Sequence, residues 1–179
     1  MPPHCDTMDG PVVTAAKRAL DTGNVNRVLI WVPEGAEPEI RKAFDRAIRA
    51  RKIGKEAGNL ADEWFFETVV RLHRSGEGAP YTGLKPAGLD PGPVVPRAEK
   101  ALAKGNPEEV IGFILHVVEE DLHQRFNLAM EKTRYDVNDV AAGRAYVQAY
   151  IGFVVYAHHL YAGIAGGGER RGGEGGLHH

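Results

Sequence analysis

The sequence predicts an all-α protein, a helical bundle made of two diverged tandem repeats in a pseudo-two-fold arrangement. Three observations carry this prediction. Apolar residues recur at helical spacing, and no convincing strand-like alternation is present. Glycine and proline stand where helices should end and begin. A set of residues also recurs later in the chain at one constant offset.

The internal repeat is the strongest of these observations. Gly10-Pro11-Val12-Val13 recurs as Gly92-Pro93-Val94-Val95, 82 residues later and without a gap. The same offset matches further pairs: Ala16 with Ala98, Ala19-Leu20 with Ala101-Leu102, Gly23-Asn24 with Gly105-Asn106, Val28 with Val110, Phe44 with Phe126, and Ala47 with Ala129. We interpret residues 10–53 and 92–135 as a duplication, within copies of about 10–74 and 92–160. Two copies indicate a pseudo-two-fold domain instead of an open solenoid.

Helix ends are marked locally within each copy. Pro11 suits the first turn of a helix that stops at Gly23, and Asn106-Pro107 is a strong helix start. Pro33 and Pro38 interrupt only the first copy, so the second should run on uninterrupted. The predicted helices span residues 11–23, 38–52, 57–74, 107–134 and 138–164.

We expect one helical domain over residues 1–165, with an irregular loop at 75–91. The wider segment from Ser75 to Pro96 holds five prolines and five glycines, and a loop of that length is often functional. Residues 166–179 form a glycine-rich tail that is expected to be flexible. Its final His178 and His179 fit the start of a purification tag and are excluded from the chemistry.

Composition excludes several classes of protein. A net charge of −2 and a pI near 6.4 argue against nucleic-acid binding. The single cysteine excludes an internal disulfide, and the N-terminus lacks a secretory signal, so a cytoplasmic location is expected. The uncharged stretch 145–168 is long enough to span a bilayer, but it contains Gln148, two histidines and four tyrosines. We interpret it as a central buried helix and predict no membrane contact.

The N-terminal segment offers the sharpest candidate chemistry. His4-Cys5-Asp6 places an imidazole, a thiol and a carboxylate in consecutive positions. Thiolate and imidazole ligands suit Ni, Cu, Zn or Fe, so a transition-metal ion is the expected cofactor. The alternative is that Cys5 is a small buried apolar residue at the start of a helix.

The helix at 57–74 supplies further candidates. Leu60, Trp64, Phe65, Val69 and Leu72 are predicted to face the core. The opposite stripe is charged and consists of Glu63, Glu67, Arg71 and Arg74, while His73 falls at the edge of the apolar face. If the following loop folds back over this stripe, it buries Glu67 and Arg71 and adds Tyr81 and Lys85.

A second metal hypothesis involves the helix at 107–134. His116, Glu120 and His123 share one narrow stripe, and Glu120-x-x-His123 has the spacing that di-iron and di-manganese bundles use. The stripe lies opposite the apolar residues of this helix, so the alternative is a solvated face.

Two resemblances follow from these residues. His4-Cys5-Asp6 near an amino terminus resembles the N-terminal hook of nickel superoxide dismutases, although the hook's second cysteine is missing. Segments Cys5–Val13, Phe65–Arg74 and Gly76–Gly88 resemble a family of uncharacterised bacterial and archaeal helical proteins. That second resemblance implies no activity.

The sequence therefore predicts a cytoplasmic helical protein that binds a transition-metal ion, with redox or hydrolytic chemistry open to it. The predicted ligands are His4, Cys5, Glu67 and His73, with Arg71, Tyr81 and Lys85 lining the pocket, and with His116, Glu120 and His123 as second choice. One alternative is a non-catalytic module that binds a small anionic molecule through Arg71 and Lys85. The other is a structural or protein-binding bundle, and a homo-oligomer is compatible with each.

Overall fold

A computed structural model describes residues 3–166, and the side chains of residues 4–166. The fold is all-α, as predicted, and the described residues contain no β-strand. The helices are α1 (Pro11–Thr22), α2 (Asn26–Leu29), α3 (Glu37–Arg51), α4 (Lys55–Gly76), α5 (Val94–Lys104), α6 (Glu108–Glu131) and α7 (Val140–Gly166). Short 3-10 turns lie at Pro3–Asp6 and Glu34–Ala36.

The predicted helix positions are confirmed to within a few residues. Local rules suffice for this because proline opens a helix and a left-handed glycine closes one. Gly23 and Gly105 both end a helix in the left-handed conformation, with φ of 67° and 65°. After each glycine, the asparagine amide (Asn24 or Asn106) donates back to a carbonyl five residues earlier, at 3.0 Å. Superposition of the two whole copies stays a prediction.

The chain divides into two compact units, Met1–Pro96 and Arg97–His179, which are described separately. The expectation of a single domain over 1–165 stays a prediction. No helix among the described residues is long and apolar enough to cross a membrane. The predicted glycine-rich tail lies outside the described residues from residue 167 onward.

The first unit has a packed core between α1, α3 and α4. Phe44 of α3 meets Phe65 of α4 edge to face, with ring centroids 5.9 Å apart. The largest fully buried side chains are Phe65, Ile40, Val12, Val13, Val28, Val69 and Val70. Burial of each such side chain contributes about 1.5–3 kcal/mol before entropy is subtracted, so this core accounts for most of the stability of the unit.

The orientation of α4 differs from the predicted one. Leu60 and Trp64 were expected in the core but are exposed, whereas Arg74 was placed on the charged outer stripe and is buried. The buried arc of α4 is centred between Phe65 and Val70, which leaves Leu60 and Trp64 outside it. Arg74 lies at the edge of this arc, four residues after Val70, where another segment of the chain covers it.

The second unit is built around a hairpin of α6 and α7. Phe126 packs edge to face on Phe153 at 5.6 Å, and Arg125 stacks over Tyr156 at 3.9 Å. Among residues 97–166, Ala129 is the one buried residue. The prediction that the uncharged stretch 145–168 is a central buried helix is therefore wrong for its described residues, 145–166, because within this unit α6 covers one side of α7 and leaves the others open.

Candidate functional site

The N-terminal segment forms a tight turn against the start of α1. The amide and the hydroxyl of Thr7 both donate to the His4 carbonyl, at 3.3 and 2.9 Å, and the Gly10 amide donates to the Thr7 carbonyl at 2.9 Å. A Cβ atom at Gly10 would lie 1.9 Å from the His4 carbonyl oxygen. Glycine is therefore required at position 10, and the turn holds His4 and Cys5 in fixed positions.

A buried ion pair fastens this turn to α4. Arg74 donates through Nε to Oδ1 of Asp6 at 2.7 Å, and these side chains are only 5% and 6% exposed. Nη1 of Arg74 also lies 3.0 Å from Oε2 of Glu77. The hydrogen bond to Asp6 raises the pKa of Arg74, against the opposing effect of burial. Removing one partner would leave an uncompensated buried charge, which is strongly destabilising.

His4 and Cys5 lie side by side next to this pair. Cys5 is buried, and its Sγ is 3.8 Å from Nε2 of His4. A negative charge on Cys5 lies close enough to Arg74 to raise the pKa of the guanidinium further. The thiolate is the form of cysteine that acts as nucleophile and metal ligand.

His73 is held in a defined orientation at the end of α4. Its Nδ1 donates to the Trp31 carbonyl at 2.7 Å, and the Trp31 ring meets the imidazole edge to face at 6.2 Å. Its Nε2 is buried, makes no hydrogen bond within the described residues, and lies 3.5 Å from Oε1 of Glu77. Metal-binding histidines are commonly oriented in this way, with one ring nitrogen donating to a backbone carbonyl and the other left to bind.

The long loop packs against the N-terminal turn. The Lys85 amide donates to the Asp6 carbonyl at 2.8 Å, the Met8 amide donates to the Lys85 carbonyl at 3.0 Å, and Thr7 and Lys85 form a parallel bridge. The Gly88 amide donates to the Asp9 carboxylate at 2.8 Å, and this bond lowers the pKa of Asp9. The loop is therefore attached to residues 6–9 at several points.

Tyr81 comes from the same loop and packs against the core of the first unit. Its hydroxyl oxygen is buried without a well-aligned hydrogen bond in the described residues. Burial, followed by the charges of Glu67 and Asp6, raises the pKa of Tyr81, while the Leu84 backbone lowers it. Tyr81 therefore stays neutral at ordinary pH.

Contrary to the prediction, Glu67 and Arg71 are not buried beneath the long loop. Both are exposed, and Arg71 pairs with Glu39 of α3 instead of with a loop residue. The ammonium of Lys85 donates to the Thr82 carbonyl at 2.8 Å. Of the charged stripe of α4, Glu63, Glu67 and Arg71 therefore stay exposed, and Arg74 is buried against the N-terminal turn.

The second-choice metal stripe lies on an exposed helix face. His116, Glu120 and His123 are all exposed, and Nε2 of His116 is 3.5 Å from Oε1 of Glu120. Among residues 3–166, no group of three or more His, Cys, Asp or Glu side chains is arranged to hold a metal ion. The structure thus joins His4 with Cys5, and His73 with Glu77, but does not gather the four predicted ligands around one point.

Sequence reasoning missed three members of this region: Asp6 as a buried anion, Arg74 as its partner, and Glu77. Asp6 was noticed only as part of the His4-Cys5-Asp6 motif, and Arg74 was assigned by helix periodicity to the outer face. Its partner lies 68 residues away in the chain, and no local pattern carries that information.

Comparison with known proteins gives a family but no activity. No curated protein and no solved structure matches the chain. One family model, described as a family of unknown function (DUF6448), matches residues 9–156. The match includes the end of α4 and the long loop, whereas His4 and Cys5 precede it. Because the model covers well over half of the sequence, the chain belongs to this family of unknown function, DUF6448.

Proposed function

We propose that the chain binds a transition-metal ion at its N-terminal turn, with Cys5 and His4 as the first two ligands. The distance of 3.8 Å between Sγ and Nε2 carries the proposal. Bonds of about 2.3 Å from sulfur and about 2.0 Å from nitrogen put two such ligands of one tetrahedral ion about 3.5 Å apart. The two side chains therefore fit one ion with only a small adjustment.

His73 is the proposed third ligand. The hydrogen bond from Nδ1 to the Trp31 carbonyl fixes the ring. The other ring nitrogen, Nε2, is buried and makes no hydrogen bond within the described residues. Of the ligands predicted from sequence, Glu67 has the weakest support, since it is exposed. Sites whose ligands come together only when the ion binds are common, because metal binding is coupled to local folding.

The chemistry of the ion follows from its ligands. Thiolate and imidazole favour Zn, Ni, Cu or Fe over Mg or Ca. Three protein ligands leave a coordination position open for water or a substrate, which permits hydrolytic chemistry and, with Ni, Cu or Fe, redox chemistry. A reducing compartment would keep Cys5 in the thiol form.

Measuring the metal content of the purified protein tests the proposal directly. The full chain is purified without an added tag, and every variant also carries His178→Ala and His179→Ala. The protein is then loaded with Co²⁺, Ni²⁺ or Zn²⁺ and desalted. We expect one ion per chain and, for Co²⁺, a thiolate-to-metal charge-transfer band. Cys5→Ser and His4→Ala should each abolish stoichiometric binding, and His73→Ala should weaken it at least tenfold. Retention of the ion in Cys5→Ser would refute the site.

His116→Ala is the matched control, because His116 is a histidine on an exposed face far along the sequence from the turn. It should leave metal content unchanged. Equal loss in His116→Ala and His73→Ala would instead support the stripe of His116, Glu120 and His123.

We also infer that residues of about 10–74 and 92–160 descend from one duplicated helical unit, arranged with pseudo-two-fold symmetry. The support is the constant offset of 82 residues and the matching caps at Gly23-Asn24 and Gly105-Asn106. An experimental structure in which α5 and α6 follow a different path from α1 and α3 would contradict this inference.

The anion-binding alternative lacks comparable support, since Arg71 and Lys85 already have partners. The protein-binding alternative is favoured by a separate observation, the exposed apolar side chains of α6 and α7.

A further inference from the structure

Helix α7 has an apolar seam of the coiled-coil type. Apolar or small residues repeat at spacings of three and four along its whole length, which is the pattern by which helices pair side by side. The seam consists of Val140, Gly143, Val147, Tyr150, Val154, Ala157, Tyr161 and Ile164. Arg144 is the one Lys, Arg, Asp or Glu residue between Val140 and Gly166.

The partner helix within the unit does not cover this seam. Helix α6 packs on Phe153 and Tyr156 of α7, whereas Val147, Val154 and Tyr161 are exposed. At 3.6 residues per turn, the seam and the α6-facing side point about 100° apart around α7. In a four-helix bundle each helix contacts two neighbours through faces separated in roughly this way.

Helix α6 has the complementary feature. Ile111, Leu115, Val118 and Leu122 follow one another at spacings of four, three and four, and Ile111 and Leu115 are exposed. An open apolar groove of about 790 Å³ runs beside this seam, with Leu115 and Phe126 on one side and Phe153 on the other. Both helices of the hairpin therefore have an unpaired seam.

The exposed apolar area is close to that of a stable interface. Eight large apolar residues of the two seams are each at least 42% exposed: Ile111, Leu115, Val140, Val147, Tyr150, Val154, Tyr161 and Ile164. If a fully exposed side chain of this size covers roughly 150 Å², the low end of the aromatic range, these eight leave on the order of 700 Å² uncovered. A stable interface buries about 800 Å² per partner, and the largest apolar patch on a typical monomer is about 300–600 Å².

We propose that two copies of the chain associate through their α6–α7 hairpins and form a four-helix bundle. A second copy is the matching occupant because it brings the same two heptad seams, so the contact is self-complementary about a two-fold axis. Helix hairpins with short connections assemble in this way around a core of seam residues. The proposal is independent of the metal site, whose residues all lie in the first unit.

The oligomeric state of the full chain is the decisive measurement. Sedimentation equilibrium at about 1–100 µM should give the mass of a dimer, a range that detects dissociation constants in the micromolar region. The double variant Val147→Glu/Val154→Glu places charges in the centre of the seam and should raise the dissociation constant at least 100-fold.

The matched control is Ile53→Glu, at an exposed isoleucine of the first unit, and it should leave the dimer intact. Trp31 and Trp64, the two tryptophans of the chain, both lie in the first unit, so their fluorescence shows whether that unit stays folded in each variant.

Three results would overturn the proposal. The first is a monomer whose α7 amides are strongly protected from hydrogen exchange, because the cover would then come from the same chain. The second is a dimer that Ile53→Glu weakens as much as the seam variant does. The third is a monomer that sediments with phospholipid vesicles, which would make a lipid surface the occupant.

Discussion

The two units place the same residues in opposite environments. Leu20 in the first unit is 3% exposed, and Leu102, its equivalent at the offset of 82, is 84% exposed. Phe44 and Phe126 form a similar pair, at 7% and 44%. An apolar residue at helical spacing is therefore buried only if another element covers it. In the first unit α4 and the N-terminal turn provide that cover, whereas in the second unit α7 covers Phe126 only in part and Leu102 remains exposed.

The largest expected effect is at the buried ion pair of the first unit. Arg74→Ala leaves Asp6 as a buried, uncompensated charge and should lower the free energy of unfolding by roughly 3–5 kcal/mol. Arg71→Ala, in the exposed pair with Glu39, should cost less than about 1 kcal/mol. Urea unfolding followed by tryptophan fluorescence reports on the first unit. Similar losses in the two variants would mean that the Asp6–Arg74 contact is not buried in solution.

The equivalent leucines test the comparison itself. Leu20→Ala opens a cavity in a packed core and should destabilise the first unit by about 2–5 kcal/mol. Leu102→Ala removes an exposed side chain and should change the stability of the second unit by no more than about 0.5 kcal/mol. Circular dichroism during unfolding detects both. A large loss in Leu102→Ala would show that α5 is covered in solution, in the same chain or by a partner.

Two glycines should respond with opposite signs. Gly10→Ala pushes a methyl group into the His4 carbonyl and should destabilise the first unit by roughly 1–3 kcal/mol. Gly112 lies within α6 with open space around its Cα. Gly112→Ala should therefore stabilise the helix by about 0.5–1 kcal/mol. Thermal unfolding of the two variants gives both signs, and a neutral Gly10→Ala would mean that the N-terminal turn is loosely held.

The smallest effects concern tyrosine ionisation. Tyr81 is the one tyrosine of the first unit, and burial is the main cause of its raised pKa. Tyr156 in α7 also has a raised pKa, but its main cause is a hydrogen bond with Asp121. Asp121→Asn should therefore return Tyr156 to a titration nearer its usual pKa of about 10, with no effect on Tyr81.

Alkaline titration followed by tyrosine absorbance measures this difference, with Tyr81→Phe to assign the first-unit residue. Because a raised folded-state pKa favours the protonated form, the stabilisation is present below the usual pKa of about 10 and is lost as the pH rises through the raised value. If Asp121→Asn shifts neither tyrosine, the contact with Tyr156 is absent in solution.

Helix positions were predictable from sequence because their determinants are local. Pro11, Gly23 and Asn106 act within one turn of their own position, and the helices begin or end beside them. The burial of α7 was not predictable, because an apolar pattern shows only that a helix can be covered. Whether it is covered depends on elements distant in the chain or in another molecule.

The candidate site was predictable only in part. The chemistry of His4 and Cys5 follows from their residue types, and their proximity follows from their being neighbours in a turn. The ion pair of Asp6 with Arg74 and the carbonyl that orients His73 depend on folding across 68 and 42 residues of chain. Helix periodicity placed Arg74 on the outer face because charged residues are normally assigned to the solvent side. That rule fails here because folding brings the distant carboxylate of Asp6 next to Arg74.

The bridge between Thr7 and Lys85 has a consequence for how this stretch of chain can be duplicated or moved. The bridge brings the backbone at residues 7 and 85 together, so α1 to α4 lie within a closed path. A segment whose two ends meet can be cut out, transplanted or copied head to tail without pulling its interior apart. The stretch from Thr7 to Lys85, kept together with the preceding turn that carries Asp6, is therefore suited to serve as a movable cassette.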